Sequence, residues 1–371
     1  MRRLASALAL TGSALACEAL IGADFDDVVA KPTDSGSSCD SRRPALPPDI
    51  EGGGSTAFLV VLHDVDLGDG EATDGTPRYL EVGYDVDATC TNRGDAPRCG
   101  PAAWTEGDPT DGPQGQDNGV GKLLFLQEQL FGLSVVSSSV VNTNIAGGGF
   151  PPLAVVSVEG YNGFSEDDVV TVRWYVPIAA KLDPTGEFVP KLDGTDAWPL
   201  ASQASVQGTG SASTAMALEA KEAYVNGRTL VARFDSAPIP LANVYFDGRD
   251  VVLTAKIVFD PATQTTLLSD GLVAGHSPAD SLLEVIPRIT AEFLGVPLCT
   301  DDPSYTNTKK FICSGADVAT GAHTKGAPCD GTSFGIAFES SGVSLGAVGS
   351  LPEPKAKCPA ATDPAADTCT E

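Results

Sequence analysis

The chain has 371 residues and a formal net charge of −26, from 49 acidic and 23 basic residues. This excess of acids opposes nucleic-acid binding, which needs Lys and Arg to neutralise phosphates, and opposes attachment to anionic lipids through basic patches. A hydrophobic content of 42% in a chain of this length permits a buried core, while 40 Gly and 27 Pro indicate many turns.

The first residues are typical of a secretory signal peptide. A basic start at residues 1–3 precedes the apolar stretch Leu4–Leu15, which is too short to span a bilayer. The sequence Ala14-Leu15-Ala16-Cys17 is similar to a bacterial lipobox, although Leu is commoner at the position of Ala14 and a small residue at that of Leu15. We expect residues 1–16 to be removed and Cys17 to carry lipid. The alternative is plain secretion after cleavage nearby.

The other cysteines support export. An even number in an exported protein indicates a disulfide framework, and none of them forms a CxxC pair. Short loops favour the bridges Cys90–Cys99 and Cys299–Cys313. The eight candidates for disulfide bonding are Cys39, Cys90, Cys99, Cys299, Cys313, Cys329, Cys358 and Cys369.

The residues after Cys17 carry a resemblance to a group of proteins. Leu20-Ile21-Gly22-Ala23-Asp24-Phe25 resembles the start of uncharacterised secreted lipoproteins of the myxobacterial type. Tyr84–Asp87, Asp111–Asn118 and Gly160–Gly163 resemble segments of the same group. The resemblance implies export and lipid anchoring, at the outer membrane or cell surface, and no activity.

Composition divides the remainder of the chain. Residues 17–55 are rich in Pro, Gly and Ser and are typical of a flexible stalk. Residues 56–350 form the predicted β-rich ectodomain, either one unit or two subdomains divided near residue 200. Residues 351–371 form a Pro- and Ala-rich surface tail held by two cysteines.

The ectodomain is predicted to be mainly β, as a β-sandwich or jelly-roll-like body with two accessory helices. Asp247-Gly248 favours a hairpin turn. Helices are predicted from Gly121 to Phe131 and after the N-cap Ser277, the second kinked at Pro287. Strands are predicted at Phe58–Leu62, Leu80–Tyr84, Leu153–Val158, Val169–Val176, Thr229–Phe234, Val251–Phe259, Phe334–Phe338 and Val343–Val348.

Clustered acids suggest calcium, which takes six to eight oxygen ligands. Asp64–Gly70 resembles the start of a calcium loop but has an inserted residue and no closing Glu. A second hypothesis joins ligands from two loops, with solvated turn acids as the alternative. The proposed ligands are Asp85, Asp87, Asp111, Asp117 and Asn118.

Other chemistry has weaker support. Ser344 lies in a GxSxG pattern, but Gly and Pro follow where an α/β-hydrolase needs a helix, and no His comes later in the chain. The three histidines show no zinc-binding spacing. Trp104 and Trp198 lie in polar segments and are candidates for stacking on a glycan.

These observations favour a surface-anchored, non-catalytic lipoprotein that binds or supports an extracellular protein or glycan. A secreted polysaccharide hydrolase with a carboxylate pair is the alternative. Membrane contact is expected through the lipid anchor alone.

Overall fold

The computed structural model describes residues 47, 53–87, 99, 111–131, 136–186, 188–261, 264–320, 327–353 and 356–369, without the side chains of 128–131. Strand accounts for 39% and helix for 21%, which confirms the mainly β prediction. Five α-helices accompany the sheet in these ranges, compared with the two that were predicted.

The strands are β1 (Thr56–Asp66), β2 (Ala154–Tyr161), β3 (Thr171–Tyr175), β4 (Ala197–Ala201), β5 (Ala217–Glu219), β6 (Glu222–Asn226), β7 (Thr229–Leu241), β8 (Val244–Asp260), β9 (Thr265–Pro278), β10 (Gly331–Gly342) and β11 (Ser344–Gly349). The helices are α1 (Gly119–Phe131), α2 (Ser138–Ala146), α3 (Gln203–Gln207), α4 (Ala279–Leu294) and α5 (Tyr305–Cys313).

Nine strands form one antiparallel sheet in the order β5-β3-β2-β1-β10-β9-β8-β7-β6. The sheet curls, and residues just before β3 pair with β6 through Asp167 and Val225. Across the interior, the rings of Trp174 on β3 and Phe234 on β7 pack edge to face at 5.9 Å. Facing layers therefore enclose one core, as in a β-sandwich. Strands from both sides of residue 200 share this sheet.

Three β-bulges help the sheet to curl. Each contains an aspartate with a left-handed backbone: Asp64 (φ 51°), Asp250 (φ 47°) and Asp270 (φ 47°). Asp tolerates this conformation better than most residues, and a bulge bends its strand and increases its twist.

Helices pack against the sheet in several places. Helix α1 packs against β10, α2 against β1 and α4 against β8, while β4 and β11 form a separate parallel pair. No helix within the described ranges is long and apolar enough to cross a membrane.

Most predicted strands are confirmed, but Leu80–Tyr84 is not a strand. Arg78–Leu80 is a short 3-10 helix, and the following residues lie flat across the sheet. Leu80 and Val82 are both buried there. The alternation of apolar and polar residues in this segment is therefore due to packing against the sheet and not to strand pairing.

Two predicted boundaries are also wrong. Gly248 lies inside β8, where a Cβ would come 2.8 Å from Ile239, and the turn falls at Ala242 (φ 59°). Ser277 belongs to β9, and α4 begins at Ala279 after Pro278, which makes no side-chain cap. Long-range strand pairing overrides the local turn and cap signals at both places. Pro287 lies within α4.

Candidate metal centre

Two loop segments meet on the outer face of the sheet. Tyr84 and Asp117 form an antiparallel bridge, with the Asp117 N–H donating to the Tyr84 carbonyl at 3.0 Å. The Tyr84 hydroxyl lies 2.6 Å from Thr254 Oγ1 on β8, which fixes this crossing to the sheet. Gly335 on β10 permits the close approach, because a Cβ there would lie 2.3 Å from the Val82 carbonyl oxygen.

This crossing brings together three of the predicted calcium ligands. Carboxylate oxygens of Asp85, Asp87 and Asp117 lie within 4.8 Å of one another. Asp117 and Asp87 are buried, with 3% and 8% of their surfaces exposed, while Asp85 is partly exposed. The Val86 N–H donates to Asp117 Oδ2 at 2.7 Å and holds that carboxylate toward the first loop. We call Asp85, Asp87 and Asp117 the aspartate triad.

Two further acids act on the aspartate triad electrostatically. Burial raises the pKa of Asp117 well above its ordinary value, and the charges of Asp111 and Asp317 raise it further. Burial also raises the pKa of Asp317 to about 6, although hydrogen bonds from Ser333 oppose the shift. Several carboxylates thus share a poorly solvated region, in which a cation would favour their ionised forms.

Asn118 has a different role from the predicted one. Its Nδ2 donates to the Val82 carbonyl at 2.8 Å, while its Oδ1 accepts the N–H groups of Gly121 and Gly335 at 2.8 and 3.0 Å. Since both lone pairs of the oxygen are engaged, Asn118 ties the start of α1 to β10 and does not supply a metal ligand. Asp111 lies close enough to influence Asp117 but is not part of the aspartate triad.

The acidic stretch that begins within the end of β1, at Asp64–Gly70, is not arranged as a calcium loop. Asp66 pairs with Arg78 at 2.6 Å, and Asp69 accepts the backbone N–H of Ser138 at the start of α2. Asp74 accepts the Thr76 N–H in a local turn. Asp66, Asp69 and Asp74 thus each have a structural partner that accounts for the carboxylate without a metal.

The predicted aromatic platform is wrong for Trp198. Its side chain is fully buried, its Nε1 donates to the Ile178 carbonyl at 2.9 Å, and its ring packs on Phe188. Trp104 lies outside the described residues. Strand β4 pairs with β11, and Trp198 on β4 lies in the core, although the polar residues 193–196 before it favour an exposed loop.

The disulfide framework is confirmed in part. Between cysteines that the structure describes, the bridges are Cys99–Cys329, Cys299–Cys358 and Cys313–Cys369. Both short-loop pairings are therefore wrong, because the fold brings together cysteines that are 56 to 230 residues apart. Cys17, Cys39 and Cys90 lie outside the described residues. Three disulfides are typical of a protein from an oxidising, extracellular compartment.

Ser344 does not form a nucleophile elbow. It begins strand β11, and its hydroxyl donates to the Asp196 carbonyl at 3.2 Å. His63 donates to Ser341 across the β1–β10 pair, with 2.7 Å between Nε2 and Oγ. Ser344 and His63 therefore both make structural hydrogen bonds.

A cleft of about 330 Å³ lies where the two ends of the sheet meet. Its lining runs over residues 168–171 and 219–223, which contain acidic, basic and small side chains and no aromatic ring. This lining offers a sugar ring no stacking partner. Comparison with protein-family models, curated proteins and solved structures finds no match to this chain.

Proposed function

We propose that this protein is an exported, lipid-anchored, non-catalytic surface protein in which the aspartate triad binds calcium. The observation that supports the metal is the convergence of Asp85, Asp87 and Asp117 from two loops. In this proposal, calcium fixes the loops on the sheet, and the stiffened surface supports an extracellular protein or glycan.

Calcium fits the ligand chemistry better than a softer metal. The three side chains offer carboxylate oxygens, which hard cations prefer, and the group contains no thiolate or imidazole. The carboxylates bring three negative charges to one point when they are ionised, and a divalent cation offsets their repulsion. Calcium is favoured over magnesium because it accepts irregular coordination by two loops, whereas magnesium requires a near-ideal octahedron.

The metal proposal is tested by thermal melting of the mature protein with calcium chloride, with magnesium chloride and with EDTA. A ligand that binds the native state alone adds about 2.7 kcal/mol at one hundred times its Kd, which raises the Tm. Asp117→Asn should lose this increment yet remain folded in EDTA, since it removes a poorly solvated charge. The matched control Asp235→Asn removes an exposed charge on β7 and should keep the full increment. Equal melting of wild type in calcium and EDTA would refute the proposal.

Lipid anchoring is supported by the apolar stretch before Cys17 and by the disulfides of an oxidising compartment. Diacylation provides stable membrane attachment, whereas one chain gives only marginal binding. Replacing Cys17 by Ser should move the protein from the membrane to the soluble fraction. A Cys17→Ser protein that stays in the membrane fraction would contradict the anchor.

The absence of catalysis is tested separately. The purified protein is screened against chromogenic glycosides and a glycan array, with and without calcium. Saturable binding without turnover agrees with the proposal, whereas turnover would establish the polysaccharide hydrolase instead.

A further inference from the structure

Two disulfides hold the C-terminal residues 356–369, here called the C-terminal strap, across helices α4 and α5. Cys358 bonds to Cys299 in the segment between the helices, and Cys369 bonds to Cys313 at the end of α5. The strap contains a short 3-10 helix, Pro364–Ala366, which packs along α4.

Polar contacts fix the strap between its two bridges. Asp367 accepts hydrogen bonds from Tyr305 Oη at 2.9 Å and from Lys309 Nζ at 2.7 Å. The Cys369 N–H donates to Asp280 Oδ1 in the first turn of α4 at 2.7 Å. These bonds place the strap over a particular surface of both helices.

Beneath the strap lies an apolar cluster that is separate from the main core. Its buried members are Leu283, Ile286 and Cys313, and Cys369 of the strap packs against them. The main core under the curled sheet contains no residue of the strap. Loss of the strap would therefore uncover Leu283 and Ile286 without opening the sheet interior.

The described bridges differ in the exposure of their cysteines. Cys99 and Cys329 are 1% and 2% exposed, so both ends of that bridge are buried. Cys299 and Cys358 are both partly exposed, and in the remaining bridge Cys369 is partly exposed while Cys313 is fully buried. Thiol–disulfide exchange requires access of the attacking thiolate to a bridge sulfur. The two strap bridges should therefore react before Cys99–Cys329.

We propose that the C-terminal strap is a redox-sensitive latch that covers an apolar face of α4. A dithiol reductant opens each bridge by transferring two electrons and two protons, yielding two cysteine thiols and the cyclic disulfide of the reductant. Four thiols form as the strap leaves, and Leu283 and Ile286 become accessible while the sheet stays folded. Exchange with a small-molecule disulfide, which takes up two electrons and two protons for each bridge and leaves as two thiols, re-forms both bridges and restores the cover.

The native full chain tests this with graded dithiothreitol, trapping by iodoacetamide and peptide mapping. Among the six cysteines of the described bridges, the first four thiols should appear at Cys299, Cys313, Cys358 and Cys369, with at least tenfold slower labelling of Cys99 and Cys329. Binding of the dye ANS should rise at least twofold at the four-thiol stage, while the far-ultraviolet circular dichroism keeps its oxidised form. Equal labelling of Cys99 and Cys329, unchanged ANS binding, or loss of the β signal at this stage would each overturn the latch.

Variants separate release of the strap from general reduction. The quadruple variant C299S/C313S/C358S/C369S should bind ANS without reductant. The matched variant C99S/C329S keeps both strap bridges and should bind ANS like the wild type. If the quadruple variant does not fold, graded reduction of the native chain still decides the proposal.

Discussion

Asp167 and Val225 exchange two backbone hydrogen bonds, 2.9 and 2.7 Å long, and so join the segment before β3 to strand β6. Asp167 is fully buried, and its carboxylate also accepts the N–H groups of Asn162 and Val169. One residue therefore connects the two ends of the sheet and organises the turn that leads to them.

Replacing Asp167 with Ala should lower the free energy of unfolding by about 1–3 kcal/mol, because it leaves two backbone N–H groups without their acceptor. Urea denaturation measures this loss. Glu166→Ala, at the exposed neighbouring position, is the control and should change stability by less than about 0.5 kcal/mol. Equal stabilities of the two variants would contradict this role of Asp167.

The bulge residue Asp250 provides a test of backbone strain. At φ 47° glycine adopts the left-handed backbone without steric strain, whereas a residue with a Cβ destabilises the folded state by roughly 1–2 kcal/mol. Asp250→Gly should therefore be at least as stable as the wild type, and Asp250→Val should be less stable than Asp250→Gly by about 1–2 kcal/mol, because a β-branched residue fits positive φ poorly. Thermal melting of the pair compares them at one site. A glycine variant less stable than the valine variant would exclude this explanation.

The aspartate triad and Asp317 predict how calcium stabilisation depends on pH. Burial raises the pKa of Asp117 and raises that of Asp317 to about 6, so without a cation the folded chain binds more protons than the unfolded chain above about pH 4, and for Asp317 this holds up to about pH 6. The free energy of unfolding should then fall as pH rises through this window. Calcium requires ionised carboxylates, and its Tm increment should be larger at pH 7.5 than at pH 5. An increment that is independent of pH would argue against binding at these acids.

Titration of His63 should change the free energy of unfolding with pH in the opposite direction. Burial lowers its pKa, although the charges of Asp64 and Asp196 oppose the shift. The unfolded chain therefore takes up this proton first, and stability is lost as pH falls below about 6.5. In His63→Gln, an amide replaces the ring as donor to Ser341. The free energy of unfolding should therefore fall less between pH 7.5 and pH 5.5 than it does in the wild type. Comparison of denaturation curves at both pH values separates this from the carboxylate effect, which both proteins share. An unchanged loss would show that His63 does not titrate in this range.

Segments with a dense local signal could be recognised in the sequence. The β-branched runs Phe58–Leu62 and Val251–Phe259 are strands because such side chains suit a buried pleated surface in many contexts. Asp85, Asp87 and Asp117 could be brought together in a hypothesis because they belong to two acid-rich segments that lie close together in sequence. The mainly β class follows from these signals, and it is confirmed.

Other features depend on contacts between distant residues. The partner of Cys99 lies 230 positions away. The hairpin turn was predicted at Gly248 but lies at Ala242, because β7 and β8 pair as far as Leu241 and Val244. Trp198 lies in the core on strand β4, which pairs with β11, although polar residues precede it in sequence. The sequence by itself determined which segments prefer strand or turn, since those preferences are local. Only the tertiary structure decided which sulfurs, carboxylates and rings meet, because chain closure and burial act between residues far apart in sequence.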